Sequence, residues 1–464
     1  MKSITKLSAA KWLSALSLFL FSFLSCQKEV KQNQQVEEIA TAAAPKDQGH
    51  LQQTKTFSAD VVIRWLNLQL DMLRVPLAAG TGSQDAARAM AYCGIATYES
   101  VVPGMPAYQT LTNQLNEFPE MPAKEPGKAY HWAASANATL AEMNRRLFPT
   151  TSDANKASIN NLENTLQATY ANEVDASILQ RSIAFGKEVA TRVFTWAAID
   201  GSANVNPPYG PPVQPVGPGF WVSTPPNFPT AANPYAKQRR LIVPDVSYGT
   251  TLEPPPPYSA DPASPFYAMV KDVYDKSQAL TPAQIAMALY HRDAPGYPGG
   301  GHFVAILAQV LTKAETTLDV AVLAYAKTGI ASYDATTICF VQKYAINLVR
   351  PITYIRNVMG YTTWNALFNT PGHPEFPSAH AVNGTAIATM LTDVLGENFQ
   401  FTLHTYDYLG LPARSYNSFL EMSKEMSDSR VFGGIHYQAS CDKGIWLGDK
   451  VSHNILNKVK FLKD

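Results

Sequence analysis

Four cysteines in 464 residues are too few to staple a chain of this size. Three of them, Cys93, Cys339 and Cys441, stand in apolar contexts without the spacing of a metal site, which points to buried free thiols. Charge is equally sparse: 16% of residues are charged, with 37 basic against 37 acidic. A balanced chain carries no long-range field for nucleic acid or an anionic membrane surface. Any anion site must then be a local concentration of charge, which favours a small ligand. Beyond the first 26 residues no apolar run reaches the ~20 residues that a membrane-crossing helix needs. Strand-type alternation is almost missing too, which excludes a sheet-based core and leaves an all-α class.

The first residues form a leader. Lys2, Lys6 and Lys11 precede an apolar run from Trp12 to Leu24, closed by Ser25-Cys26. Residues 1–25 read as a signal peptide. A small residue before the cysteine resembles the bacterial lipobox, which implies lipidation at Cys26. The protein is then expected to be exported and lipid-anchored in the cell envelope, at the periplasm or cell surface, touching the membrane only through that anchor. Residues 26–57, rich in Gln, Glu, Lys and Ala, have little to bury and read as a flexible tether.

Residues 58–258 read as an N-terminal helical region followed by a Pro-rich loop. Val62, Trp65, Leu66 and Leu73 recur at helical steps before Pro76, and Met90, Gly94, Tyr98 and Val101 mark a second helix. Further helices are predicted over 126–147, 153–171 and 175–198. Residues 201–258 hold fifteen of the 33 prolines, which excludes regular helix. The interspersed Phe220, Trp221, Phe228, Tyr235 and Tyr248 favour a loop packed across a surface over a free linker. Residues 259–464 read as a helical bundle carrying the chemistry. Thr281-Pro282 opens a helix to Tyr290 as N-cap and first-turn proline. Gly299-Gly300-Gly301 leads into His302, and helices follow to about 327 and over 332–348.

Three short stretches in this last region concentrate chemistry. Lys343 and Arg350, seven residues apart, would leave one face of the 332–348 helix and its end. Charges on so apolar a helix need a counter-anion or acidic partners, yet only Asp319 and Asp334 are acidic between Glu315 and Glu375. Pro377-Ser378 opens a helix over 379–395, whose free N–H groups and dipole favour an anion. Ser378 is either an N-cap or an anion donor, and His380 either a packed histidine or an acid–base group. Arg430 and His436 flank Gly433-Gly434, which would let backbone approach a ligand closely.

In this order, Lys-x6-Arg-Pro, Pro-Ser-Ala-His and Ser-Arg-x5-His resemble the three motifs of the vanadium-dependent haloperoxidases and type-2 phosphatidic acid phosphatases. Arg292-Asp293-Ala294-Pro295 with Gly301-His302-Phe303, and Ala86-Ala87-Arg88 through Tyr98-Glu99, resemble the bacterial haloperoxidase-like branch. The resemblance implies a large helical-bundle fold and vanadate bonded to His436. Lys343, Arg350, Arg430, the Ser378 hydroxyl and the Ala379 N–H would compensate its oxygens. His380 would move protons and Lys343 would polarise peroxide, so that hydrogen peroxide oxidises a halide, iodide or bromide, to hypohalous acid. In the phosphatase alternative no vanadate is needed: His436 attacks a phosphomonoester to form phosphohistidine and His380 protonates the leaving group. A non-catalytic surface lipoprotein retaining the fold is the third alternative. Two positions depart from the family. Ala379 replaces a glycine, and Ser440 stands where an Asp four residues after the last histidine would orient the imidazole. Phe340, His373 and His302 are candidates to tune halide choice.

Overall fold

The first helix, α1 (Asp60–Leu73), buries the stripe of Val62, Trp65 and Leu66 and ends ahead of Pro76. The computed structural model describes residues 52–463 apart from 80, 82–84 and 207–214. The expected signal peptide, Cys26 and the expected tether up to residue 51 lie outside the described residues. The last part of the expected tether, 52–57, is packed rather than free: Thr54 Oγ1 donates to the Val101 carbonyl at 2.9 Å, and Leu318 N–H donates to the Phe57 carbonyl at 2.8 Å.

Helix α2 (Ala86–Val101) starts on an Asp85 cap. Helix α3 (Trp132–Leu147) begins six residues later than its sequence suggests, because His131 closes the entry by accepting from Ala134 N–H. Helices α4 (Asp153–Tyr170) and α5 (Ala176–Ala198) follow as expected. After the Pro-rich segment come α6 (Pro265–Gln278), α7 (Pro282–Tyr290) with its Thr281–Gln284 capping box, and α8 (Gly301–Ala314). Helix α9 (Leu318–Ile346) runs 29 residues without the break expected near 327–332. Gly329 sits inside it because a Cβ there would lie 2.6 Å from the Met90 carbonyl oxygen; Gly94 of α2 makes the reciprocal approach to Tyr325. The two glycines let the α2 and α9 backbones touch at the centre of the molecule.

The remaining elements are α10 (Pro351–Asn357), α11 (Ala379–Leu395), a two-stranded antiparallel hairpin β1 (Phe401–Leu403) and β2 (Arg414–Tyr416), α12 (Phe419–Phe432) and α13 (Gln438–Lys458). Helix α9 packs between α2 and α11, α3 lies against α2 and α5, and α12 and α13 close over α11. Residues 46–464 form one compact unit around this core.

The Pro-rich segment is packed. Trp221 N–H donates to the Asn347 carbonyl at 2.8 Å and Val349 N–H to the Gly219 carbonyl at 2.9 Å. Trp221 is buried, whereas Phe228 and Tyr248 are 64% and 79% exposed. Further along, Asp334 of α9 accepts Ile242 N–H at 2.7 Å and Val243 N–H at 3.0 Å in the interior. Leaving two buried N–H groups unpaired costs ~1–3 kcal/mol each. Asp334→Ala is therefore expected to lower unfolding stability by roughly 2–5 kcal/mol, read from the denaturant midpoint. A loss below about 1 kcal/mol would mean that this anchor is not what holds the segment.

Candidate active site

The first anchor departs from its expected geometry. Helix α9 ends at Ile346 because Asn347 turns left-handed at φ 51°. Arg350 precedes Pro351, which disfavours helical backbone, and it caps α10 in extended conformation. Lys343 and Arg350 thus do not share a helix, yet both are buried and reach the same place. Lys343 Nζ donates to the carbonyls of Pro374 (2.9 Å), Glu375 (3.0 Å) and Pro377. All three ammonium donors are committed to this strap, and burial pulls its pKa down. Lys343 braces the segment that carries the Pro-Ser-Ala-His stretch.

That stretch opens α11. Gly444 of α13 lets the helix start sit tightly, since a Cβ there would lie 2.9 Å from the Ser378 carbonyl oxygen. Ser378 does not cap the helix with its side chain, unlike Ser152, Ser264, Thr281 and Ser418 at the starts of α4, α6, α7 and α12. Its buried hydroxyl has no hydrogen-bond partner beyond the weakly bonding Cys441 thiol. The capping explanation of Ser378 therefore fails. Ala379 occupies the first turn of α11, so its Cβ is accommodated in ordinary helical backbone.

The third stretch joins α12 to α13. Arg430 lies in the last turn of α12, and Gly434 turns left-handed at φ 76° before His436. The glycine pair serves aromatic packing rather than ligand approach: Cβ atoms at 433 and 434 would meet the Phe368 and Trp364 rings at 2.4 and 3.1 Å. Arg430 donates to the His291 carbonyl and keeps its buried Nε unpartnered.

Around His436 the decisive group is one the sequence pattern did not single out. Glu375 Oε1 lies 2.8 Å from His436 Nδ1 and accepts Tyr437 N–H at 2.8 Å. Ser440 Oγ donates to Glu375 Oε2 at 2.5 Å. The carboxylate expected at position 440 is thus supplied by Glu375, and Ser440 helps to hold it. Asp442 points elsewhere, bonded to Gln438. Burial pushes the Glu375 carboxyl up, partly countered by Arg350, Ser440 and Lys343. Burial, with the charges of Arg350, Lys343 and Arg430, holds His436 well below its usual value, so the ring is neutral. A neutral ring that gives Nδ1–H to Glu375 carries its lone pair on Nε2. That atom faces Arg350 Nη1 at 3.3 Å. Arg350 is itself fixed by the carbonyls of Ile435 (2.8 Å) and His373 (3.0 Å).

A cavity of about 740 Å³ opens over these groups, lined by Ala379, His380, Arg430 and His436. Lys343, Arg350 and Ser378 are not part of that lining; Arg350 reaches it through His373 and His436. Thr224 to Asn227 and Pro229 of the Pro-rich segment also face the cavity, together with His302, Phe340 and His373. His380 Nε2 lies 3.0 Å from Asp293 Oδ1, both side chains about one-fifth exposed. Burial and Arg430 lower the His380 pKa, while Asp293 pulls it up. For Asp293, burial raises the carboxyl, but His380, Arg430 and His302 together hold it below its usual value. His302 is pushed down to about 3 by burial and the neighbouring His291, and Tyr406 hydroxyl bonds its Nδ1 at 3.0 Å. A second cleft of about 710 Å³, lined by Gln309, Lys313, His404 and Tyr416 among others, carries no buried arginine.

Such an assembly has the groups that a small tetrahedral oxyanion needs. Two buried guanidiniums, a hydroxyl with no strong partner and a helix start would compensate charge, a nitrogen lone pair would meet the central atom, and a histidine–carboxylate pair would manage protons. Its elements are Lys343 on α9, Arg350 at α10, Ser378 to His380 at α11, Arg430 on α12 and His436 before α13. Cys93, Cys339 and Cys441 are buried free thiols, and of the three Cys441 meets the site through the Ser378 hydroxyl.

Residues 323–464 match the family model of the VCPO second helical-bundle domain. No curated protein matches the sequence. Among solved structures, the chain is similar to a bacterial vanadium-dependent iodoperoxidase, with 28% identity over 88% of this chain and 98% of that one, at a TM-score of 0.77. It also shares its fold with a bacterial vanadium-dependent chloroperoxidase in apo and holo forms. Each is 15% identical over 84% of this chain, covering 97% and 94% of the other, with TM-scores of 0.60 and 0.58.

Proposed function

We propose that this chain, a member of the vanadium haloperoxidase superfamily, uses hydrogen peroxide to oxidise a halide, iodide or bromide, at a vanadate bonded to His436. The observation that carries the proposal is His436, tied to Glu375 through Nδ1 and presenting Nε2 beside Arg350 at a cavity where Arg430 Nε lacks a partner and, behind the lining, Ser378 Oγ has only the weakly bonding Cys441 thiol. These orphaned buried polar groups fit vanadate: Arg350 and Arg430 would offset its charge, and the Ser378 hydroxyl and Ala379 N–H would donate to it. Bound there, vanadate supplies a Lewis-acid centre that activates peroxide without a change in metal oxidation state. Overall, iodide loses two electrons to peroxide: iodide, hydrogen peroxide and one proton give hypoiodous acid and water.

The protein's own part in the chemistry is proton handling. With Nε2–H directed at Asp293, His380 Nδ1 is the atom that takes and returns a proton. Lys343 would act at one remove, by holding the strap over 374–377. Asp293→Asn tests the pair through pH. Because Asp293 raises the His380 pKa, its neutralisation lowers that pKa further. The acidic limb of kcat/KM is expected to move to lower pH, and the rate to fall by ~10²-fold. An acidic limb that stays in place would exclude His380 as the titrating group.

The reading itself is tested by incubating the purified chain with orthovanadate and assaying peroxide-dependent iodide and bromide oxidation beside p-nitrophenyl phosphate hydrolysis. Halide oxidation that requires vanadate is the expected result. Robust phosphate release without halide oxidation would replace this reading with phosphohistidine chemistry at His436. Neither activity would leave an oxyanion-binding lipoprotein.

A further inference from the structure

We infer that Arg292 is the residue that gathers the halide into the cavity, a deepening that rests on the haloperoxidase reading. Three arginines line the cavity, and two are committed. Arg239 is ion-paired with Asp85, and Arg430 donates to the His291 carbonyl. Among the described residues Arg292 has neither an acidic nor a carbonyl partner, and its Nε is buried and unpartnered. The acid beside it in sequence, Asp293, is occupied by His380 at 3.0 Å. A guanidinium partly removed from water without a counter-charge is costly, and an anion in the cavity removes that cost.

The surroundings indicate which anion. Guanidinium is planar and weakly hydrated, which matches a large, weakly hydrated partner better than a small, strongly hydrated one. Ala87, Ala294, Phe303 and Phe340 give the same cavity apolar lining, which favours iodide over chloride for the same reason. Arg292 and Asp293 are consecutive residues of one loop. The loop that fixes the proton-moving histidine therefore also carries the cation that collects the substrate, and a single segment sets both.

The test compares the full chain with Arg292→Gln and Arg292→Lys. Losing one charged contact of ~1.5 kcal/mol or more corresponds to roughly tenfold in affinity. Arg292→Gln is expected to raise the iodide KM about tenfold while the peroxide KM and kcat stay near wild type, the pattern of lost substrate binding. Arg292→Lys, which keeps the charge, should stay within about threefold. Crystals of vanadate-free protein soaked in iodide should show an anomalous-scattering peak beside Arg292 that is missing in Arg292→Gln. An iodide KM unchanged in Arg292→Gln, with the peak retained, would overturn the inference while leaving the haloperoxidase reading intact. A wild-type chain that shows the iodide peak but oxidises no halide would do the reverse, keeping the anion site and removing the proposed activity.

Discussion

His436→Ala is expected to abolish vanadate-dependent halide oxidation and to remove measurable vanadate binding. Removing even an outer partner of a metal ligand costs ~10–100-fold in affinity, so losing the bonding nitrogen itself should exceed that range. Turnover should fall to the rate of vanadate free in buffer. The substitution also strips Glu375 Oε1 of its histidine donor and Arg350 Nη1 of its neighbour. His436→Gln separates chemistry from folding, because its amide can still donate to Glu375 while offering no nitrogen lone pair. Both variants should show the same loss, measured by equilibrium vanadate binding and by iodide oxidation. The prediction does not depend on which oxyanion chemistry operates, since phosphohistidine formation needs the same Nε2. Vanadate affinity within tenfold of wild type in His436→Gln would remove His436 from the site.

Much of this site is legible in the chain because its motifs are local. Ser378, Ala379 and His380 sit together at one helix start, and Arg430 and His436 lie six residues apart across one turn. Helix boundaries followed from caps and prolines where these were present, as at Thr281-Pro282. The misreadings have a common cause: local pattern does not report what a residue meets across the fold. A break is expected near 327–332, yet Gly329 there lets α9 touch α2, and Gly433-Gly434 suggests ligand approach but makes room for Phe368 and Trp364. Arg350 was assigned to the face of Lys343 by spacing alone, although Pro351 already constrains it to extended backbone. Glu375 is the most instructive case. Its partner His436 is 61 residues away, and no period or spacing links them. The available signal is chemical: an acid beside Phe376-Pro377-Ser378, with no lysine or arginine near it in sequence, in a chain whose imidazole lacks its expected Asp.

Glu375→Gln is therefore expected to have the second-largest effect, a loss of ~10–100-fold in vanadate affinity with the fold retained. The amide keeps an oxygen for His436 Nδ1–H and Tyr437 N–H, and Ser440 Oγ can rotate to accept from its NH2 group. Geometry survives and only the negative charge is lost. That charge stabilises the imidazole as it gives electron density to the bound group, and it partly balances Arg350 and Lys343. Adding Ser440→Asp to Glu375→Gln places a carboxylate at the position where the sequence motif leads one to expect it, and should recover part of the affinity. The pH dependence has a definite sign. Burial raises the Glu375 pKa above the ordinary carboxylate range, so the charge is present at higher pH and is lost on acidification before exposed acids titrate. Wild-type vanadate affinity should fall with pH across that window, and Glu375→Gln, already neutral, should not follow it. Equal affinity in the two proteins, or the same pH dependence in both, would show that Glu375 holds the turn before α13 without acting on His436.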